Sequence, residues 1–215
     1  MLIELKRFTL PPGQRVLLNG VTWQEFEAIL EDLGEGRGSR IAYKDKILEM
    51  MTPLPEHETR KVLVGDFLKA LMEELEVEFW SLGSTTFKNE LMGEGIEPDD
   101  CFYIENEAKV RGKERIDLKI DPPPDLAIEI DVTSRTHPSI YQNLGVRELW
   151  RFEKGKLKIY ELRNGEYVES EFSPHFPNLP LREVVFEYRD RAVTQGRNKT
   201  MKAFRAWVRE QVLNR

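Results

Sequence analysis

Pro122-Pro-Pro-Asp-Leu-Ala-Ile-Glu-Ile-Asp-Val132 is the stretch from which the rest of the chain can be read. Leu126, Ile128, Ile130 and Val132 alternate with Asp125, Ala127, Glu129 and Asp131, the period of a β-strand with one face turned to the core. Three carboxylates therefore share the other face. At about 3.3 Å of rise per residue, the α-carbons of Glu129 and Asp131 lie roughly 6.6 Å apart, near enough to hold one divalent cation or to perturb each other's acidity. No Lys or Arg of the stretch itself sits on that face. A solvated acidic face is the plain reading; a paired-acid site is the alternative.

Working outward, Ser134 to Leu144 reads as a short helix with Pro138 in its first turn and Gly145 at its end. Leu149-Trp-Arg-Phe152, Leu157 to Leu162 and Tyr167 to Phe172 read as a meander, with Asn164-Gly165 as a hairpin turn, followed by a Pro-rich exit over 173–181. Upstream, Asp99 to Ile104 is a strand that starts at Pro98-Asp99. Its alternation puts Asp100 on the apolar face with Phe102 and Ile104, leaving Asp99 and Cys101 on the other. Glu105 to Lys119 is a charged surface excursion, and Val77 to Phe87 reads as one strand. His57 to Glu76 is the principal core helix, with Val64, Phe67, Leu68, Leu71, Met72 and Leu75 at helical spacing. Arg15 to Asn19 is a short apolar run, and Thr22-Trp-Gln-Glu25 has the spacing of a capping box for a helix closed by Gly34. Ser39 to Tyr43 and Ile47 to Met51 form a hairpin whose second strand carries Glu49 toward the same cleft.

The last helix, about Asn198 to Leu213, sets an apolar stripe of Met201, Phe204, Val208 and Val212 beside a cationic one of Lys202, Arg205 and Arg209. A docked helix with a solvated basic face and a phosphate-contacting patch are both consistent with that pattern. The boundaries expected are one domain over 1–188, including an N-terminal helical extension, and a basic helix over 189–215. Residues 189–215 hold eight basic and two acidic side chains, a net +6 in a chain of −6, so the rest of the molecule carries −12. An acidic body argues against a general nucleic-acid coat and leaves room for a local basic patch.

The chain of 215 residues, 40% hydrophobic, is long enough to bury one full core. A single cysteine, Cys101, excludes an internal disulfide framework and a cysteine zinc cluster. No signal-peptide pattern opens the sequence and no stretch has the ~18 uncharged apolar residues of a membrane span, so a cytoplasmic protein is expected. His57, His137 and His175 have no metal-pair spacing. The Gly34-Glu-Gly-Arg-Gly38 run follows a helix, which makes it a linker and not a phosphate loop, and there is no Gly-x-Ser-x-Gly elbow. Acids gathered from two neighbouring strands, with oxygen as the only donor, suit magnesium or manganese.

Pro98-Asp99, then Pro124-Asp-Leu-Ala-Ile-Glu-Ile-Asp-Val-Thr-Ser134, then Tyr141-Gln-Asn-Leu-Gly-Val-Arg-Glu-Leu-Trp150 resembles the Uma family of restriction-endonuclease-like proteins, within the PD-(D/E)XK nuclease superfamily. The likeness spans roughly residues 20 to 180, including Met51-Thr-Pro53 followed by His57. It implies an α/β restriction-endonuclease-like fold, a mixed central sheet flanked by helices, and a magnesium- or manganese-dependent DNA endonuclease working as a homodimer. By the same resemblance, Asp99 and Glu129 are metal ligands assisted by the carbonyl of Ile130, and His57 belongs to the active site. The superfamily's lysine position holds Asp131, expected to bind a second metal or hold the water. The family's alternative lysine position, one helical turn before Tyr141, holds His137, an imidazole able to act as general base near neutral pH. The rival reading is a nuclease fold without catalysis, serving as a nucleic-acid or protein binding module. Glycoside hydrolysis is disfavoured because no sugar-stacking aromatics accompany the acidic strand.

Overall fold

The computed structural model describes residues 9–34, 38–130 and 138–213. In chain order the elements are β1 (Arg15–Asn19), α1 (Trp23–Leu33), β2 (Arg40–Lys44), β3 (Ile47–Met51), α2 (Pro55–Glu74), β4 (Trp80–Ser81), β5 (Phe87–Asn89), β6 (Glu94–Ile96), β7 (Asp100–Tyr103), α3 (Glu107–Val110), β8 (Leu126–Ile130), α4 (Pro138–Leu144), β9 (Glu148–Glu153), β10 (Lys156–Arg163), β11 (Glu166–Ser170), α5 (Leu181–Gln195) and α6 (Arg197–Leu213). The strands form two sheets: an antiparallel one in the order β1-β3-β2-β6-β5, and a mixed one in the order β11-β10-β9-β8-β7-β4. In the mixed sheet only β8 and β9 run parallel.

β8 sits near the middle of the mixed sheet, and both its faces are buried. Leu126, Ile128 and Ile130 join Trp150, Phe152, Leu157 and Ile159 against α2, α5 and α6. Ala127 and Leu149 join Cys101, Tyr103, Ile140 and Tyr141 on the opposite side, where α4 and the antiparallel sheet cover it. The acidic face expected to meet solvent is therefore an interior face. It tolerates Asp125 and Glu129 because each meets specific donors, as a buried polar group requires. Asp125, at the entrance of β8, accepts from the N–H groups of Ile104 (2.7 Å) and Asn106 (2.9 Å) and from Asn106 Nδ2 (2.6 Å). That carboxylate holds the turn after β7.

α1 begins with the expected capping box: Thr22 Oγ1 accepts from the Glu25 amide at 3.3 Å while Thr22 N donates to Glu25 at 2.8 Å. Its Phe26 stacks on Tyr43 with centroids 4.5 Å apart, closing a separate small core with Val21, Ile41 and Leu48. Lys44 Nζ on β2 meets Glu94 (2.8 Å) and Ser139 Oγ (2.9 Å), and Asn143 Nδ2 donates to Glu94 (2.9 Å). These bonds fix the antiparallel sheet on α4.

The sequence and the structure part in three places. Val77 to Phe87 is two short strands in different sheets, β4 and β5, with Gly83 at φ +61° letting the chain pass between them. Residues 181–195, starting at the last residue of the expected Pro-rich exit over 173–181, form the full helix α5. That helix runs through the boundary expected after residue 188, and α6 places Phe204 and Val208 in the same core as α2. Among the described residues no helix is long and apolar enough to cross a membrane.

Candidate active site

The α4-facing side of the mixed sheet brings together residues far apart in sequence. Asp99 immediately precedes β7, and its amide donates to the Ile128 carbonyl (3.1 Å). Its carboxylate turns to the neighbouring strand, where Oδ2 accepts from the Ile130 amide at 2.8 Å. Glu129 projects from β8 on the side shared with Ala127, and it accepts a hydrogen bond from the Tyr141 hydroxyl of α4. Both acids are buried.

His57, in the first turn of α2, reaches the same point: its Nε2 lies 3.0 Å from Asp99 Oδ2. Pro55 at the head of that helix fixes the entry. Burial, the largest single influence, pulls the imidazole toward neutrality. The hydrogen bond and charge of Asp99, the charge of Glu58 and the Ile130 backbone outweigh it, so the His57 pKa is raised. Held this way by Asp99, the ring is a proton donor.

Glu129 is held well above the usual carboxylate range, first because it is buried and second because Asp99 is close by. The Tyr141 hydroxyl and the charges of Arg151 and Arg40 pull it back in part. Burial and the Glu129 charge together push the Tyr141 phenol up. Two carboxylates that resist being ionised together are what a hard cation relieves.

Asp100 faces the other way. It lies under α2, where a Cβ on Gly65 would come within 2.7 Å of its Oδ2, and accepts from the Cys101 amide at 2.9 Å. Cys101 is fully buried on the Asp99 side, with its Sγ 3.2 Å from the Gly83 carbonyl. Glu49 shares the sheet face of Arg40 and Ala42, since its register partners are Ala42 and Leu17. The cation beside it is Arg15, at 3.9 Å. His175 lies elsewhere, bonded through Nδ1 to the buried Glu148. Asp131 and His137 lie outside the described residues.

The stripe of Lys202, Arg205 and Arg209 is on α6, away from this cluster. Arg205 pairs with Glu74 (3.0 Å) and Glu73, and Arg209 with Glu74 (2.5 Å and 3.0 Å), tying α6 to the end of α2. Glu74 is 17 positions along that helix from His57, roughly 25 Å at 1.5 Å per residue. Those two guanidiniums are already engaged by acids.

Two cations near the acids escape a reading of β8 alone. Arg151 is the register partner of Glu129 across the parallel pair, and Arg40 approaches from the antiparallel sheet with its Nε 3.9 Å from Asp99 Oδ1. The Leu149-Trp-Arg-Phe alternation does place Arg151 on the same face of its strand as Leu149. The pairing that sets it beside Glu129 is a tertiary fact.

Residues 23–192 match the family model Uma2, described as "Putative restriction endonuclease". The chain belongs to the Uma2 family. A crystal structure titled as a putative nuclease belonging to DUF820, from Anabaena variabilis ATCC 29413, shares the fold with a TM-score of 0.54. It is 14% identical to this chain, covering 79% of it and 99% of the Anabaena chain. Among curated proteins there is no match. The restriction-endonuclease-like architecture expected from the motifs is thus the observed one. In this Uma2 chain it appears as two sheets and not one, with Pro98-Asp99 and Glu129 meeting from adjacent strands.

Proposed function

We propose that this chain is a metal-dependent DNA endonuclease that hydrolyses phosphodiester bonds at the Asp99–Glu129 pair. The observation that carries the reading is the convergence of two buried carboxylates from neighbouring strands, one of them made less acidic than usual by burial and by the other. Each has one oxygen engaged, Asp99 Oδ2 by Ile130 N and His57, Glu129 Oε1 by Tyr141. The second oxygen of each is the natural seat for a hard cation. Asp99, Glu129 and the Ile130 carbonyl would hold magnesium or manganese, which when bound supplies Lewis acidity and a water of lowered pKa.

The chain's own residues do the remaining work. Tyr141 orients the Glu129 carboxyl, and the Ile130 amide fixes Asp99. His57 shares Asp99's charge and stands ready to donate a proton to a departing oxygen. Asp131 and His137, which follow Ile130 in the sequence, are proposed to position or deprotonate the attacking water. Cutting both strands of a duplex calls for two sites, which supports a symmetric homodimer. The α6 stripe enters as a peripheral phosphate contact, with Lys202 its leading member, since Arg205 and Arg209 are bound to Glu73 and Glu74.

A second reading, a binding module that has lost cleavage, is favoured by one feature: the superfamily's lysine position is Asp131. Supercoiled plasmid incubated with magnesium, manganese or chelator separates the two. The nuclease reading expects nicked and linear DNA only with metal, and none from Asp99→Ala. Intact plasmid throughout, or equal cutting by Asp99→Ala, overturns it.

A further inference from the structure

An acid pair acting on a phosphodiester needs positive charge over the phosphate, and in β8 there is none. It arrives from two other strands. Glu129 and Arg151 are register partners in the parallel β8–β9 pair, so their side chains leave the same face of neighbouring strands about 4.8 Å apart. Arg40, on the facing sheet, approaches Asp99.

Both arginines are mostly enclosed, their side chains 14% and 16% exposed. In each, the Nε is buried without a hydrogen-bond partner among the described residues. Their acid contacts are loose: Arg151 Nη2 is 3.9 Å from Glu153, and Arg40 Nη2 is 3.4 Å from Glu58. An enclosed guanidinium with an open donor is costly unless a ligand completes it. The contrast is Arg205 and Arg209, whose donors close on Glu73 and Glu74. Phosphate oxygens match the guanidinium fork in geometry and charge.

We propose that Arg151 and Arg40 form a two-sided guanidinium clamp on the scissile phosphate above Asp99 and Glu129, supplying the positive charge the superfamily takes from its lysine. The proposal rests on the phosphodiesterase reading above. As the water oxygen bonds to phosphorus and the ester P–O bond breaks, negative charge gathers on the non-bridging oxygens. The water's proton passes to the base proposed above, and the leaving oxygen takes one from His57. The arginines remain protonated throughout and act only through charge and hydrogen bonds.

The test measures binding of a fluorescent DNA duplex by anisotropy in calcium, and cleavage of the same duplex in magnesium or manganese. Wild type is compared with Arg151→Met, Arg40→Met and Arg151→Lys, with thermal melts confirming that each variant is folded. The clamp predicts that Arg151→Met and Arg40→Met each lose at least about 100-fold in cleavage, in the range of a lost transition-state donor. Binding weakens along with it, and Arg151→Lys recovers part of both. If wild type cleaves and both methionine variants stay within about threefold, the clamp is wrong and the nuclease reading stands. If wild type binds without cleaving and the methionine variants lose that binding, the arginines are a phosphate contact only, and both the scissile-phosphate clamp and the nuclease reading fall. If wild type neither binds nor cleaves, both are wrong.

Discussion

Replacing Glu129 by Gln should make the metal-free protein more stable at about pH 8 and nearly unchanged at about pH 4.5. Glu129 is buried beside Asp99, and its pKa in the fold is raised well above its ordinary value of 4.5. The sign follows from linkage. A carboxyl with a raised folded pKa keeps its proton in the native state after the unfolded chain has lost it. Stability is thus greatest below the unfolded pKa and falls as pH rises toward the folded one. Every tenfold preference of the fold for the protonated form costs the ionised form about 1.4 kcal/mol. A domain of this size shifts in Tm by about 2–4 °C per kcal/mol, so each such factor is worth about 3–6 °C. Gln keeps an oxygen for the Tyr141 hydroxyl and offers its amide to Asp99, removing the repulsion without opening a cavity. The raised His57 contributes stability that is full below about pH 6.5 and lost as pH rises through its folded pKa. Both proteins retain it, so it largely cancels in the difference. Thermal melts in chelator at the two pH values decide the matter. A Gln variant no more stable than wild type at about pH 8, or one equally stabilised at about pH 4.5, refutes the reasoning.

Asp99→Asn should return the His57 ring toward or below its ordinary pKa, because the hydrogen bond and charge that oppose burial are gone; an NMR titration of the imidazole reads this, and an unshifted midpoint would contradict it. Gly65→Ala should destabilise by about 1–3 kcal/mol despite the better helix propensity of Ala, because the new Cβ would lie 2.7 Å from the buried Asp100 carboxylate. Urea unfolding of Gly65→Ala checks this, and a gain in stability would be the wrong sign. Phe204→Ala should cost about 3–5 kcal/mol by the same assay, since the ring is fully enclosed against Phe67, Tyr188 and Trp207; a loss under 1 kcal/mol would detach α6 from the core described above.

Much of this arrangement was legible in the residues. Local signals carried α1 with its capping box, α2 with its apolar spacing and the β10–β11 hairpin, because each depends on neighbours in sequence. The alternation around Asp99 and Asp100 separated the carboxylate that meets β8 from the one that lies under Gly65. What escaped was set by tertiary partners. The acidic side of β8 stayed open between a solvated face and a paired-acid site because its cover comes from α4 and from a second sheet whose strands are distant in sequence. α5 was hidden because Val184, Val185 and Tyr188 lie among charged residues that resemble the loop before them. The partners of Arg205 and Arg209 in the cationic stripe on α6 escaped because Glu73 and Glu74 belong to another helix. Arg40 and Arg151 were overlooked for the same reason, since only strand pairing and sheet packing bring them to the acids.

The central claim is that Asp99 and Glu129 together seat a divalent cation, and calorimetric titration of manganese into the metal-free protein tests it most directly. Wild type should show saturable binding near one ion per chain, with binding lost in both Glu129→Gln and Asp99→Asn while each variant remains folded. Binding that survives both substitutions, or none in wild type, would contradict the account.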